Sequence, residues 1–88
     1  MTTNNNWELY AFVISSGSRK KVLSELDTPK TPSEIAKSLK LKLPHVSRAL
    51  SELRYKRLVK CLTPRSRMGK LFQRTEAGAE VIDYVKKR

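Results

Sequence analysis

Between Leu53 and Thr75 stand Arg54, Lys56, Arg57, Lys60, Arg65, Arg67, Lys70 and Arg74, with no acidic residue among them. Protonated guanidinium and ammonium groups are not nucleophiles at neutral pH. They donate charge-assisted hydrogen bonds to anionic oxygens. Covalent chemistry has little to draw on, because the chain holds one His and one Cys and shows neither a metal-ligand cluster nor a glycine-rich phosphate loop. No enzyme activity, no metal site and no cofactor are expected. Cys61 alternates with Lys60, which places it inward as a core residue rather than as a redox sensor. A lone cysteine forms no internal disulfide and fits a reducing compartment.

The balance of the whole chain repeats this bias. Eighty-eight residues, 39% hydrophobic and 31% charged, suffice for one small domain with a single core. A net charge of +11 is more than solubility requires and implies an acidic partner, with nucleic acid first and an anionic membrane surface second. No apolar run approaches the ~20 residues that span a bilayer. The longest, Leu9 to Ile14, lacks the basic flank and cleavage site of a signal peptide. The expectation is a soluble, cytoplasmic (nucleoid-associated) chain with no membrane partner.

The elements that position these charges follow from periodicity and punctuation. Residues 1–6 (MTTNNN) read as a frayed polar tail, with Asn6 available as a cap. Residues 7–15 read as a helix that is apolar nearly all round and must be covered on more than one side, in so small a domain by a second copy. Trp7, Tyr10 and Phe12, with Ile82 and Val85 near the other end of the chain, are the candidate dimerisation residues. Ser16-Gly17-Ser18 interrupts, Ser18 can cap a helix from Arg19 to Leu26, and Asp27 to Lys30 is a turn. Thr31-Pro32-Ser33-Glu34 is a strong helix start, combining a capping box with proline at the first helical position. Ile35, Ala36 and Leu39 then form a buried face. Pro44 opens a second helix, to about Lys56, whose apolar stripe is Val46, Ala49, Leu50 and Leu53.

Residues 58–74 read as a hairpin, with strands from Leu58 to Thr63 and Lys70 to Arg74 around the loop Pro64 to Gly69. A last helix spans 76–87, its face Val81, Ile82 and Val85, with Lys86, Lys87 and Arg88 at the end where cations complement the helix dipole. The fold class is therefore α+β, mainly helical with one small β-hairpin. Within residues 32–56, Ile35, Leu39, Leu41, Val46 and Ala49, with small Ala36 at the approach, have the spacing of a helix-turn-helix. A helical hairpin in an ordinary bundle shares that spacing; the basic hairpin that follows favours the nucleic-acid reading.

The stretch SEIAKSLKLKLPHVSRALSELRYKRLVKC, followed by PRSRMGKLFQRTEAGAEVI, resembles the winged helix-turn-helix transcription regulators of the MarR/ArsR type, most nearly the small archaeal ones. The likeness covers about Ser18 to Lys87. Its most specific pieces are V-S-R-A-L-S-E-L, L-V-K-C and T-E-A-G. It implies a three-helix core, a β-wing and flanking N- and C-terminal helices, the last often helping to dimerise. Two positions depart from the family pattern. Lys40 and Arg57 stand where glycine is common, so either these turns are shaped differently or each carries strain of about 1 kcal/mol.

With the stripe of the second helix committed to the core, His45, Ser47, Arg48 and Ser51 remain for a major groove and Arg54 for the backbone. Arg48 is the leading base reader, since a guanidinium donates two hydrogen bonds to guanine; in the free protein it can pair with Glu52 one turn on. Arg65, Arg67 and Lys70 at the hairpin tip would reach phosphates or the minor groove, and Ser33 and Lys42 flank the helix pair as phosphate contacts. The expected function is a homodimeric, sequence-specific regulator that binds double-stranded DNA. The alternatives are a protein-interaction winged helix of transcription machinery and a non-specific nucleic-acid binder. Winged helices that take left-handed duplexes carry Asn and Tyr at the places held here by Ser47 and Ser51, and a Trp-containing, Pro-rich wing, which this sequence lacks. Nothing in the residues argues for a small-molecule effector.

Overall fold

A computed structural model describes residues 2–67 and 69–87, with side chains from Trp7 onward. The expectations placed on Met1, Met68 and Arg88 lie outside the described residues. The order is α1 (Thr2–Ile14), α2 (Gly17–Glu25), α3 (Pro32–Leu39), α4 (Leu43–Tyr55), β1 (Val59–Cys61), β2 (Phe72–Arg74) and α5 (Glu76–Lys87). The helix α1 begins before the expected start at Trp7: Thr2–Asn6 continue it, and Asn6 lies inside the helix rather than capping it. No Pro or Gly interrupts that segment, and Asn and Thr cost under about 1 kcal/mol each in a helix.

Local chemistry explains the helix ends. Thr31 Oγ1 accepts the Glu34 N–H at 3.2 Å while Glu34 Oε1 accepts the Thr31 N–H at 2.9 Å, so the reciprocal box at the start of α3 forms. The cap of α2 is Ser16, not Ser18: its hydroxyl accepts the Arg19 N–H at 3.3 Å and Gly17 becomes the first helical residue. A glycine directly after a capping serine is compatible with either placement, and the outer serine holds the extended backbone a cap needs.

Both α3 and α4 close on a left-handed residue. Lys40 has φ 57° and Arg57 has φ 62°. Leu41 N–H reaches Ala36 O at 3.0 Å and Lys40 N–H reaches Lys37 O at 3.4 Å; Leu58 N–H reaches Leu53 O and Arg57 N–H reaches Arg54 O, both at 2.9 Å. These are two Schellman closures. Each normally uses glycine at the left-handed site, and here each bears a long cationic side chain instead.

One core sits beneath these elements. Val13, Val22, Leu23, Leu26, Ile35, Val46, Leu53, Leu58 and Val59 are almost wholly buried, joined by Ala49, Leu50, Phe72, Val81, Ile82 and Val85. Burying a Val, Leu or Ile contributes about 1.5–3 kcal/mol, so every element supplies part of the driving force. Leu39 and Leu41, expected inside, pack against the edge of this core and are only partly buried.

The wing is antiparallel, with Val59 opposite Arg74, Lys60 opposite Gln73 and Cys61 opposite Phe72. Lys30, read from sequence as turn, adds an isolated antiparallel bridge on the far side of Phe72. Its N–H donates to Phe72 O at 3.0 Å and its O accepts the Phe72 N–H at 2.8 Å. The wing base is thus tied to Lys30, two residues before α3. At the other end of β2, Thr75 N–H donates to Leu58 O at 3.0 Å, Thr75 Oγ1 donates to Arg57 O at 2.7 Å, and Thr75 Oγ1 accepts the Gly78 N–H at 3.1 Å. Gly78 is buried, and a Cβ there would collide with the Leu58 carbonyl. This is a five-helix α+β winged helix.

Candidate nucleic-acid interface

Inward-facing Val46, Ala49, Leu50 and Leu53 fix the rotation of α4 and leave Leu43, Pro44, His45, Ser47, Arg48, Ser51, Arg54 and Tyr55 exposed. The helix begins at Leu43 after Lys42, whose side chain makes no capping bond. Its positive end is therefore open to solvent.

The exposed face borders two open clefts. The larger, about 430 Å³, lies between the start of α3, one side of α4 and the wing; it is lined by Thr31, Pro32, Ser33, Leu43, Ser47, Leu50, Ser51, Arg54, Arg67, Gly69, Lys70 and Phe72. It gathers Ser33, Ser47, Ser51, Arg54, Arg67 and Lys70 of the expected contact residues. A second cleft, about 310 Å³, lies between α2 and the other side of α4 and is lined by His45, Arg48, Ala49, Glu52, Ser16, Ser18 and Arg19. His45 and Arg48 thus stand together, apart from the wing. Lys42 and Arg65 are exposed and border neither cleft.

Glu52 does not take the partner expected for it. Its carboxylate accepts from Arg19 Nε at 3.0 Å. Arg19 also donates through Nη1 to Phe12 O at 2.8 Å and to Ser15 Oγ at 3.0 Å, and its guanidinium lies 4.0 Å from the centre of the Phe12 ring. A three-sided clamp holds Arg19 where α1, α2 and α4 meet. Arg48 is left with no acidic partner among the described residues.

The same holds along the basic run. Ion pairs among the described residues join Arg19 to Glu52, Lys30 to Glu25 and Asp27, and Lys87 to Asp83. None reaches any basic residue between Arg54 and Arg74. Lys30, by contrast, is spent internally, donating to Glu25 O at 2.7 Å, Thr28 Oγ1 at 3.1 Å and Asp27 Oδ1 at 3.3 Å. That hydrogen bond and charge hold the Asp27 carboxyl below its usual range, with a weaker pull from Arg74. Between β1 and β2 the wing turns at Pro64-Arg65, where Ser66 N–H donates to Thr63 O at 3.0 Å and Leu71 N–H donates to Thr63 Oγ1 at 3.0 Å. Gly69 supplies a further left-handed residue, φ 64°. The cations of the wing are therefore presented from a braced loop.

The residues expected at a dimer contact do not share one surface. Trp7, 61% exposed, stacks on Tyr10 with ring centres 5.6 Å apart, and Tyr10 meets Tyr84 edge-on at 4.8 Å. Phe12 is half-buried beneath Arg19, with Lys56 Nζ 5.6 Å from its ring centre. Ile82 and Val85 point into the core instead of outward, because α1 and α2 pack on their face of α5. Sequence reasoning passed over Tyr84, Leu43 and Tyr55. All three are large apolar or aromatic residues lying off the buried stripe of their own helix, and that was the available signal.

Among the described residues no three His, Cys, Asp or Glu side chains gather to hold a metal, and no helix is long and apolar enough to cross a membrane. Cys61 is half-buried with a free thiol.

Solved structures of similar fold are regulators of transcription. Apo MarR of E. coli superposes with a TM-score of 0.74 at 25% identity, covering 97% of this chain and 68% of that one. A cysteine mutant of E. coli MarR complexed with operator DNA gives 0.73 at 25% identity, covering 97% and 66%. A MarR family transcription regulator gives 0.75 at 17% identity, covering 98% and 61%. The structural neighbours are thus winged-helix regulators of the MarR family, and the chain spans about half to two-thirds of the length of the structures it matches. No protein-family model and no curated protein matches the sequence.

Proposed function

We propose that this chain, as a single winged-helix domain, is a sequence-specific DNA-binding transcription regulator that acts on double-stranded DNA as a homodimer. The observation that carries the reading is the cleft joining the exposed side of α4 to Arg54, Arg67 and Lys70, in a basic stretch that no ion pair among the described residues reaches. A duplex is the polyanion that matches a protruding helix beside a cationic loop: α4 fits a major groove about 12 Å wide, and the wing reaches the flanking phosphates and minor groove. Arg48 and His45 read bases from the α2 side of α4, Ser47 and Ser51 allow close approach, and Ser33, Lys42, Arg54, Arg65, Arg67 and Lys70 hold phosphates. The likeness to a MarR complexed with operator DNA supports this assignment, as does the sequence resemblance to ArsR-type and small archaeal regulators.

Dimerisation uses the exposed aromatic edge of α1 and α5, with Trp7, Tyr10 and Tyr84 in place of the inward Ile82 and Val85. Two copies would address half-sites about one helical turn apart.

Selection from a random duplex pool tests the function. The expected result is an enriched sequence, repeated at that spacing. Retention of duplex without enrichment would mean a non-specific nucleic-acid binder, and no retention at low salt would leave the protein-interaction alternative.

A further inference from the structure

Three of the exposed α4 residues that line the wing cleft follow one another at i, i+4 and i+8, Leu43, Ser47 and Ser51, with Arg54 beyond them. Residues four apart stack on one face of a helix, so the three form a single line. Leu43 stands at its N-terminal end, 45% exposed, and is the sole large aliphatic side chain exposed on the helix. Its exposure is not a defect of core packing. Val46, Ala49, Leu50 and Leu53 already fill the buried stripe, and Leu43 lies beside it at the first turn.

The surroundings of Leu43 are polar and cationic: Ser33 and Ser47 line the same cleft, Arg54 stands further along α4, and Arg67 and Lys70 come from the wing. An exposed leucine in that setting does not suit an apolar protein surface, because the unpaired cations would be desolvated against it. A duplex resolves the conflict. Its phosphates satisfy the rim, while its major groove carries one apolar group, the 5-methyl of thymine. The residues that meet base edges come from the N-terminal part of such a helix, which is where Leu43 sits.

We propose that Leu43 is a specificity-determining residue that contacts a thymine methyl group at the end of the Leu43–Ser47–Ser51 line. The proposal rests on the DNA-binding reading and adds a base preference to it. Ser47 and Ser51, with side chains too short to fill the space, let the helix approach until Leu43 reaches the groove floor.

The test uses the pool enriched by the wild-type protein, reamplified with either thymidine or deoxyuridine triphosphate, so that the two duplexes differ only in the methyl group. Wild type should bind the uracil duplex about fourfold more weakly for each methyl that Leu43 contacts, the equivalent of one buried carbon. Leu43→Ala should bind both duplexes with nearly the same affinity and keep the wild-type dependence on salt. Equal binding of the two duplexes by wild type overturns the proposal without recourse to any variant. A thymine preference that survives intact in Leu43→Ala also overturns it. Failure to enrich any duplex removes the DNA-binding reading itself, an outcome distinct from enrichment without a methyl effect.

Discussion

Glu52 is held by Arg19 at 3.0 Å, from a position 33 residues away in sequence, and not by Arg48 one helical turn behind it. The consequence is a free guanidinium on the exposed face of α4. A base-reading arginine that must first break an intramolecular pair loses part of its gain; Arg48 has no such ion pair among the described residues.

Arg48→Ala should therefore weaken binding to the enriched duplex by about 1–3 kcal/mol, roughly 5- to 150-fold. Unfolding free energy should change by no more than about 0.5 kcal/mol, as for a surface site. Anisotropy titration and urea denaturation measure the two quantities. Glu52→Gln should do the opposite: it lowers stability by up to about 1 kcal/mol, since the pair is partly exposed, and it tightens DNA binding by removing an anion beside the helix.

Thr75 and Gly78 join the turn after α4 to the start of α5. Thr75→Val loses the hydrogen bond to Arg57 O and the cap on Gly78 N–H, and should cost about 1–2 kcal/mol. Gly78→Ala forces the Leu58 carbonyl aside and should cost about 1–3 kcal/mol. Thermal melts should show a fall of about 4–8 °C for each kcal/mol. An unchanged midpoint in Gly78→Ala would contradict the close packing described for α5.

Lys40 and Arg57 adopt positive φ without being glycine. Replacing either by Gly should raise stability by about 0.5–1 kcal/mol, the relief of the left-handed backbone less the entropy a glycine adds to the unfolded chain. Urea midpoints give the comparison. Arg57→Gly should also weaken DNA binding if the charge beside α4 is used, so stability and affinity would move in opposite directions.

A dimer built on the aromatic edge should dissociate in a Trp7→Glu/Tyr84→Glu variant. Light scattering should give twice the 10.1 kDa chain mass for wild type and the single mass for the variant. A wild-type monomer at micromolar concentration would exclude this contact.

Much of the helix pair was legible because its signals are local. The Thr31/Glu34 box needs only four consecutive residues, and the Val46–Leu53 stripe only the period of one helix. The left-handed turns at Lys40 and Arg57 stood out as departures from a glycine pattern, though the sequence alone left open whether the chain would change the turn or accept the strain. The tie of Lys30 to Phe72 was invisible, since one pair of backbone hydrogen bonds has no periodicity to betray it. The capture of Glu52 by Arg19 was hidden for a related reason: its partner depends on how α2 and α4 cross, which no spacing within α4 encodes. Ile82 and Val85 are dimerisation candidates from sequence because a stripe on a terminal helix does not say which neighbour covers it. On the candidate interface, charge was easy to see. The division of α4 into a side facing the wing and a side facing α2 needed the packing.

The central claim is that unpaired cations of α4 and the wing hold duplex phosphates. Anisotropy titrations of the enriched duplex over a salt series test it most directly. With six to eight phosphates neutralised per domain, log K should fall against log salt with a slope of about −5 to −7 for each bound domain. In Arg65→Ala/Arg67→Ala the slope should shrink by about 2, one for each phosphate no longer neutralised. No binding at low salt, or a slope indifferent to the double variant, would contradict it.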